Sequence, residues 1–355
     1  MKKLLITPVL AVLLCSCIHQ QKTEPIKLSP ADAEDITIDT LCLIPLESSD
    51  SSMIYDISNL EITETRFIVH SRDLLRSYNR YSGKYTGDVC KRGSGESNFS
   101  YIGNVWLKGD TVNLFDTNKG TAMSFSPEGV YYGSSKPFGE KYKAGEKPRQ
   151  YHELPGVGVF SVNISTDGTT TSNPRYSFYN KPGEKGRGIK GREVIEPIWL
   201  PDGVYADTAN NRILAWEPLR DTIFEVTPQE VRPLYDVDFG EYKIPKSIIN
   251  AEMKDKIDAF NDKKGTPYAS LIRNLHVYNG YLLFTFTCSD GKAYLGQYNP
   301  ENKKHSIYHI TSPDGKYSQT GFFKIAADTA YIEIHNRNNE LLNSFIYPLA
   351  LNKLQ

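Results

Sequence analysis

The sequence predicts an all-β fold, a closed ring of six four-stranded sheets behind an N-terminal export segment. Three observations predict it. Short apolar runs separated by turn residues fill the chain from residue 40 onward, a strand–turn–strand unit recurs six times, and the last unit is one strand short while a lone strand stands ahead of the first. Short, regularly spaced strands divided by Gly, Asn and Asp turns indicate a sandwich, barrel or propeller. Aromatic residues make up 12% of the chain, and with β-branched residues they suit sheet faces packed on both sides.

The N-terminus reads Met1-Lys2-Lys3, an apolar run from Leu4 to Leu14, then Cys15-Ser16-Cys17. Positive charge before a short apolar run marks a signal peptide, and the run falls short of the roughly 20 residues that span a bilayer. Leu14-Cys15-Ser16-Cys17 resembles a lipobox. Residues 1–16 are therefore expected to be a signal peptide and Cys17 a lipidation site, anchoring the chain to a membrane without crossing it; the alternative is an ordinary signal peptide that leaves Cys17 unmodified. Residues 17–40 are polar, contain Pro25 and Pro30, and lack either regular period, so they read as a flexible tether. No Asp follows Cys17, so the inner-membrane retention signal is missing and a cell-envelope, outer-membrane location is expected.

The formal net charge of −1 gives no basic excess, which excludes nucleic acid as an expected partner. Cys42, Cys90 and Cys288 remain beyond the anchor. An odd number makes no disulfide framework, so at most one pair forms, or each is a small buried apolar residue.

The six units run as follows. Asn59-Leu-Glu-Ile62 leads to Phe67-Ile-Val69, Asn104-Val-Trp-Leu107 to Val112-Asn-Leu-Phe115, and His152-Glu-Leu154 to Val157-Gly-Val-Phe160. Pro197-Ile-Trp-Leu200 leads to Val204-Tyr-Ala206, Asn274-Leu-His-Val277 to Tyr281-Leu-Leu-Phe284, and Phe322-Phe-Lys-Ile325 to Ala330-Tyr-Ile332. Turns such as Gly109-Asp110, Pro201-Asp202-Gly203 and Asn279-Gly280 separate them, since Gly supplies positive φ and Asn or Asp tolerates it. Starts lie about 45 to 50 residues apart, except for an insertion after unit four, which is the spacing of four-stranded propeller blades. The last unit has room for one more strand in Leu341–Leu349, and Leu41-Cys-Leu-Ile-Pro-Leu46 has no hairpin partner. A six-bladed β-propeller over residues 41–355, its last blade completed by that N-terminal strand, reconciles both and removes an exposed edge.

Leu43-Ile-Pro-Leu-Glu-Ser48, Ile57-Ser-Asn-Leu-Glu-Ile62 and Lys91-Arg-Gly-Ser-Gly-Glu96 resemble a family of lipid-anchored six-bladed β-propellers of diderm bacteria, similar to NHL and TolB-type propellers and largely of unknown function. The resemblance covers roughly residues 40 to 350. It departs at Ser94, where the family commonly has Pro. It implies the fold and the anchor but assigns no site.

One segment breaks the β rhythm. Ile249, Met253, Ile257 and Phe260 fall at helical spacing with charges between them, and Pro245 suits a first turn. This predicts an inserted helix over about 245–260, either packed on the propeller's side or forming a partial lid.

No motif for catalysis stands out. Gly186-Arg-Gly188-Ile-Lys-Gly191 matches G-x-G-x-x-G, but no clear strand feeds it and no helix follows. Lys181, Lys185, Arg187, Lys190 and Arg192 make the same loop basic, and it reads as solvated. Asp116-Thr-Asn118-Lys-Gly120 lacks the pattern of an EF-hand, and His305 and His309 lack a third metal ligand. Position in the repeat supplies the remaining candidates. Asn59, Asn104 and Asn274 hold the same place in three innermost strands, which surround the central channel of a propeller; Tyr151, Pro197 and Phe322 hold it in the others. With Arg273 and His276 these form the candidate ligand site, the alternative being that each Asn satisfies backbone groups. A hard cation wants carboxylates that these positions lack, so no cofactor is expected.

Two functions follow. The first is an envelope binding or interaction module, using the propeller face to hold a protein, glycan or small-molecule ligand. The alternative is a metal-dependent hydrolase or lyase of the propeller type, with its site at the channel mouth. The first is favoured because no carboxylate–histidine set converges.

Overall fold

A computed structural model describes residues 23–139, 147–164, 176–181, 187–189, 203–217, 220–249, 267–337 and 344–354. Successive residues of a strand face opposite ways, and here both faces are buried. Phe67 and Val69 pack in one apolar cluster and Ile68 in another. Leu114 and Phe115 divide in the same way, as do Ile213 and Leu214 and Leu282 and Leu283. Each of these sheets is flanked by a neighbour on both sides, which is why its strands read as unbroken apolar runs.

The fold is mostly β, a propeller-like arrangement of small antiparallel sheets with, among the described residues, one short α-helix, Lys246–Ile249. Among the described residues the strands form five hydrogen-bonded sheets. Asn59–Ile62, Arg66–Ser71, Leu74–Asn79 and Tyr85–Cys90 make one meander, and Ile102–Lys108, Thr111–Asp116, Thr121–Phe125 and Tyr131–Ser135 the next. His152–Leu154 opens the third sheet and Gly203–Asp207 the fourth. The largest runs from Ala269–Tyr278 to Phe345–Ala350, and its two halves join through the single pair Thr311 and Ser318. The inner strands lie side by side in chain order, and Tyr317–Ala326 returns against Asn59–Ile62. There Lys324 Nζ meets Glu61 Oε1 at 2.7 Å across the join. Burial raises the Glu61 pKa and the Lys324 charge opposes that rise.

The N-terminal strand pairs into the last sheet as expected, but over Ile44–Pro45 alone, with Ile44 opposite Ile346 and Pro45 opposite Phe345. Thr40–Cys42 is a 3-10 turn capped by Asp39, whose Oδ1 accepts from Leu41 N at 3.0 Å. Leu46, 3% exposed, packs with Ile346 and Tyr331 of the last sheet and Phe67 of the first.

Two expectations are corrected. The segment read as a flexible tether is bonded to the domain from Glu24: Glu24–Lys27 pairs in parallel with Tyr235–Asp238, and Glu34–Thr37 with Tyr308–Thr311. Ile26 and Leu28 are buried beside the fourth sheet and Ile38 beside the fifth. Three or four apolar residues spread over a polar stretch carry no readable period, and their burial depends on outer strands more than 200 residues away. In unit four, Val204–Ala206 belongs to the first strand of its sheet, Gly203–Asp207, which pairs with Arg212–Trp216. Pro197–Leu200 lies outside the described residues, as do Cys17, most of the basic loop and residues 250–260 of the expected helix. Cys42, Cys90 and Cys288 are free thiols.

Candidate functional site

The inner strands break register where the ring opens to solvent. The ladder between the two strands Ala269–Tyr278 and Tyr281–Cys288 slips between Ile272 and Asn274, which makes Arg273 the extra residue of a bulge. Another irregularity skips Gly103, and a third skips Thr320, Gly321 and Phe322. A bulge frees its residue from ladder pairing and re-aims the side chain. All five of these residues line one cavity of about 790 Å³ at the channel mouth.

Two glycines make the wall's close approaches feasible. A Cβ on Gly103 would sit 1.7 Å from the Arg149 carbonyl oxygen, which Thr117 Oγ1 holds at 2.8 Å. Gly321 has φ +98°, and a Cβ there would lie 3.3 Å from Arg273 Cγ and 3.0 Å from Thr287 Cγ2. Thr285 Oγ1 donates to the Gly321 carbonyl.

Asn59, Asn104, Arg273 and Asn274 share the cavity wall; His276 stands outside it. Each amide also reaches a neighbouring inner strand or the residue just before it. Asn59 Nδ2 donates to the Val105 carbonyl at 3.3 Å. Asn104 bonds Tyr151 twice, donating to its carbonyl at 2.7 Å and accepting from its N–H at 2.9 Å. Asn274 Oδ1 accepts from Phe323 N at 3.4 Å. Asn59 Oδ1 is buried with no hydrogen-bond partner among the described residues. His276 is held edge-on by Tyr205 at 5.2 Å and Phe323 at 4.9 Å. Burial, aided by the Lys324 charge, pushes its pKa down to about 3, so the imidazole is neutral at pH 7.

Sequence reasoning missed the rest of the wall's charge. Arg72 and Arg149 line the cavity beside Arg273, together with Asp56, Asp73 and Glu333. Asp73 is held by Arg92 at 2.6 Å. The buried Glu333 carboxylate accepts from Ile57 N, Thr320 Oγ1 and Ser344 Oγ, with His335 at 3.4 Å. His70 also lines the cavity; burial lowers its pKa to about 4. Arg273 is open to the cavity yet surrounded by protein, and loss of water lowers its guanidinium pKa while Asp56 and Glu333 oppose the shift. A guanidinium stays charged throughout the physiological range. Arg72 carried no mark in the sequence; its φ of +49° is the backbone feature of its turn.

Among the described residues, no three His, Cys, Asp or Glu side chains gather as metal ligands. The arrangement suits recognition by hydrogen bonds and fixed positive charge.

The chain is similar in structure to a putative exported protein of Bacteroides fragilis, with TM-score 0.57 and 13% identity over 91% of this chain and 98% of that one. It is similar also to a member of the DUF4221 family from Bacteroides vulgatus, with TM-score 0.51 and 10% identity over 86% and 95%. At such identities the likeness shows a shared fold. No curated protein matches the sequence. A family model described as "Domain of unknown function (DUF4934)" matches residues 19–354.

Proposed function

The chain belongs to the DUF4934 family, and we propose that it is a six-bladed, lipid-anchored propeller of the cell envelope that binds a ligand at its channel mouth. Six apolar clusters support the blade count, since each draws its residues from two consecutive units and the sixth joins the last unit to the first. The nine-stranded sheet then counts as two blades, joined where Thr311 meets Ser318. Lys2, Lys3, the apolar run and Cys17 support export and anchoring, and the similar Bacteroides fragilis protein is itself described as exported. Substituting Cys17→Ala is expected to abolish incorporation of a fatty-acid analogue and release the domain in soluble form. Undiminished label in that variant would sink the lipobox.

The observation that carries the binding function is the cavity of about 790 Å³, within the size range of small-molecule sites. It is walled by several inner strands and holds polar groups, such as Asn59 Oδ1, without partners among the described residues. Its ligand is a protein segment, a glycan or a small molecule. Two of its three acidic groups are engaged, Asp73 with Arg92 and Glu333 with three hydrogen-bond donors and the nearby His335, which supports a binder over a metal-dependent hydrolase. Elemental analysis of dialysed protein is expected to find calcium and zinc at background. About one ion per chain, lost in an Asn59→Ala, Asn104→Ala double variant, would make the hydrolase the working function.

A further inference from the structure

Resting on the channel mouth as a ligand site, we propose that the ligand carries an oxyanion, a carboxylate or a phosphate, held by Arg273 with Arg149 and Arg72 on the same wall. Arg273 is set at a bulge and open to the cavity. It makes no hydrogen bond or ion pair among the described residues; Asp56 and Glu333 act on it only at longer range. Gly321 leaves room beside its stem, where a Cβ would lie 3.3 Å from Arg273 Cγ. A displayed guanidinium with no partner is a costly arrangement in a concave site unless something pairs with it, and its planar fork matches carboxylate or phosphate with two bonds.

The other two arginines are positioned without being neutralised. Arg149 has its backbone fixed by Thr117, while among the described residues its guanidinium reaches only the Tyr101 hydroxyl, at 3.5 Å. Arg72 lies over the Tyr55 ring at 4.0 Å, and its carbonyl meets His70 Nε2 at 3.0 Å. A ring face orients a cation without cancelling its charge. Asp73 is paired with Arg92, which leaves three guanidiniums facing the carboxylates of Asp56 and Glu333 in the wall, a positive excess that a cavity with low-dielectric sides focuses. Asn59 Oδ1, buried and unpaired on the same wall, provides an acceptor for a hydroxyl or N–H on the ligand.

Titration calorimetry of the protein with citrate and, separately, with inorganic phosphate tests this. At least one is expected to bind saturably, one per chain, with an affinity that falls as NaCl is raised. Arg273→Gln should weaken that binding roughly tenfold or more while leaving the melting temperature without anion unchanged, because no protein group loses a bond. Asp56→Asn should tighten it. Preference for citrate assigns a carboxylate ligand, and preference for phosphate a phosphorylated one. Equal affinity in wild type and Arg273→Gln, or binding of neither anion, overturns the inference. A neutral ligand captured in the cavity without response to either anion also overturns it while leaving the binding module intact, and failure of the binding module itself is read separately, as the bound metal ion.

Discussion

Deleting residues 41–46 is expected to cost about 3–5 kcal/mol and to turn a cooperatively folding domain into one prone to aggregation. The segment contributes Leu46, buried between the last and first sheets with Ile346, Tyr331 and Phe67, and truncating a buried leucine alone costs about 2–5 kcal/mol. It also covers the edge of Phe345–Ala350, through the pairs Ile44 with Ile346 and Pro45 with Phe345, and Leu46 N donates to the Ser344 carbonyl at 3.2 Å. Without it that strand presents unpaired backbone groups to other chains. Urea denaturation and light scattering measure the two effects. A deletion variant that unfolds cooperatively at the wild-type midpoint would show that the segment is no part of the closure.

The second large effect is expected at Asn104. Its amide supplies both the acceptor for Tyr151 N–H and the donor for the Tyr151 carbonyl. Asn104→Ala strips two partly buried backbone groups at once, at about 1–3 kcal/mol for each partner left unsatisfied, so a loss of about 2–4 kcal/mol is expected. Asn59→Ala removes one long bond of 3.3 Å and an oxygen that already has no partner, and should cost under about 1 kcal/mol. The contrast separates equivalent positions by what their amides hold. Equal losses in the two variants, measured by urea denaturation, would refute an inter-sheet role for these amides.

The asparagines show how far the repeat could be read. Their recurrence placed them on inner strands near the channel, and Asn59, Asn104 and Asn274 do line its cavity. What recurrence left open was the far end of each hydrogen bond. Asn59 reaches 46 residues ahead to Val105, Asn104 reaches 47 to Tyr151, and Asn274 reaches 49 to Phe323. These spans match the roughly 45 to 50 residues of one repeat, so the partner lies in the next unit, and the amide links units while facing the cavity. Arg72 and Arg149 carried no comparable mark: one sits in a hairpin turn and the other in a connection, and the wall they share with Arg273 exists only once the sheets are arranged around the channel.

The strand runs, the turns between them and the short N-terminal strand of the last sheet were legible from local residues alone. These depend on chemistry within a few residues: alternation along a strand, positive φ at Gly or Asn, and an apolar run buried on both faces. Only the tertiary structure decided that Glu24–Lys27 and Glu34–Thr37 are edge strands, that Gly203–Asp207 opens its sheet, and that three arginines meet Asp56 in one cavity. The edge strands and the cavity rest on partners tens to hundreds of residues away. A hydrogen bond or a field from a distant strand leaves no period in the local sequence, so it becomes visible only when the sheets are brought together.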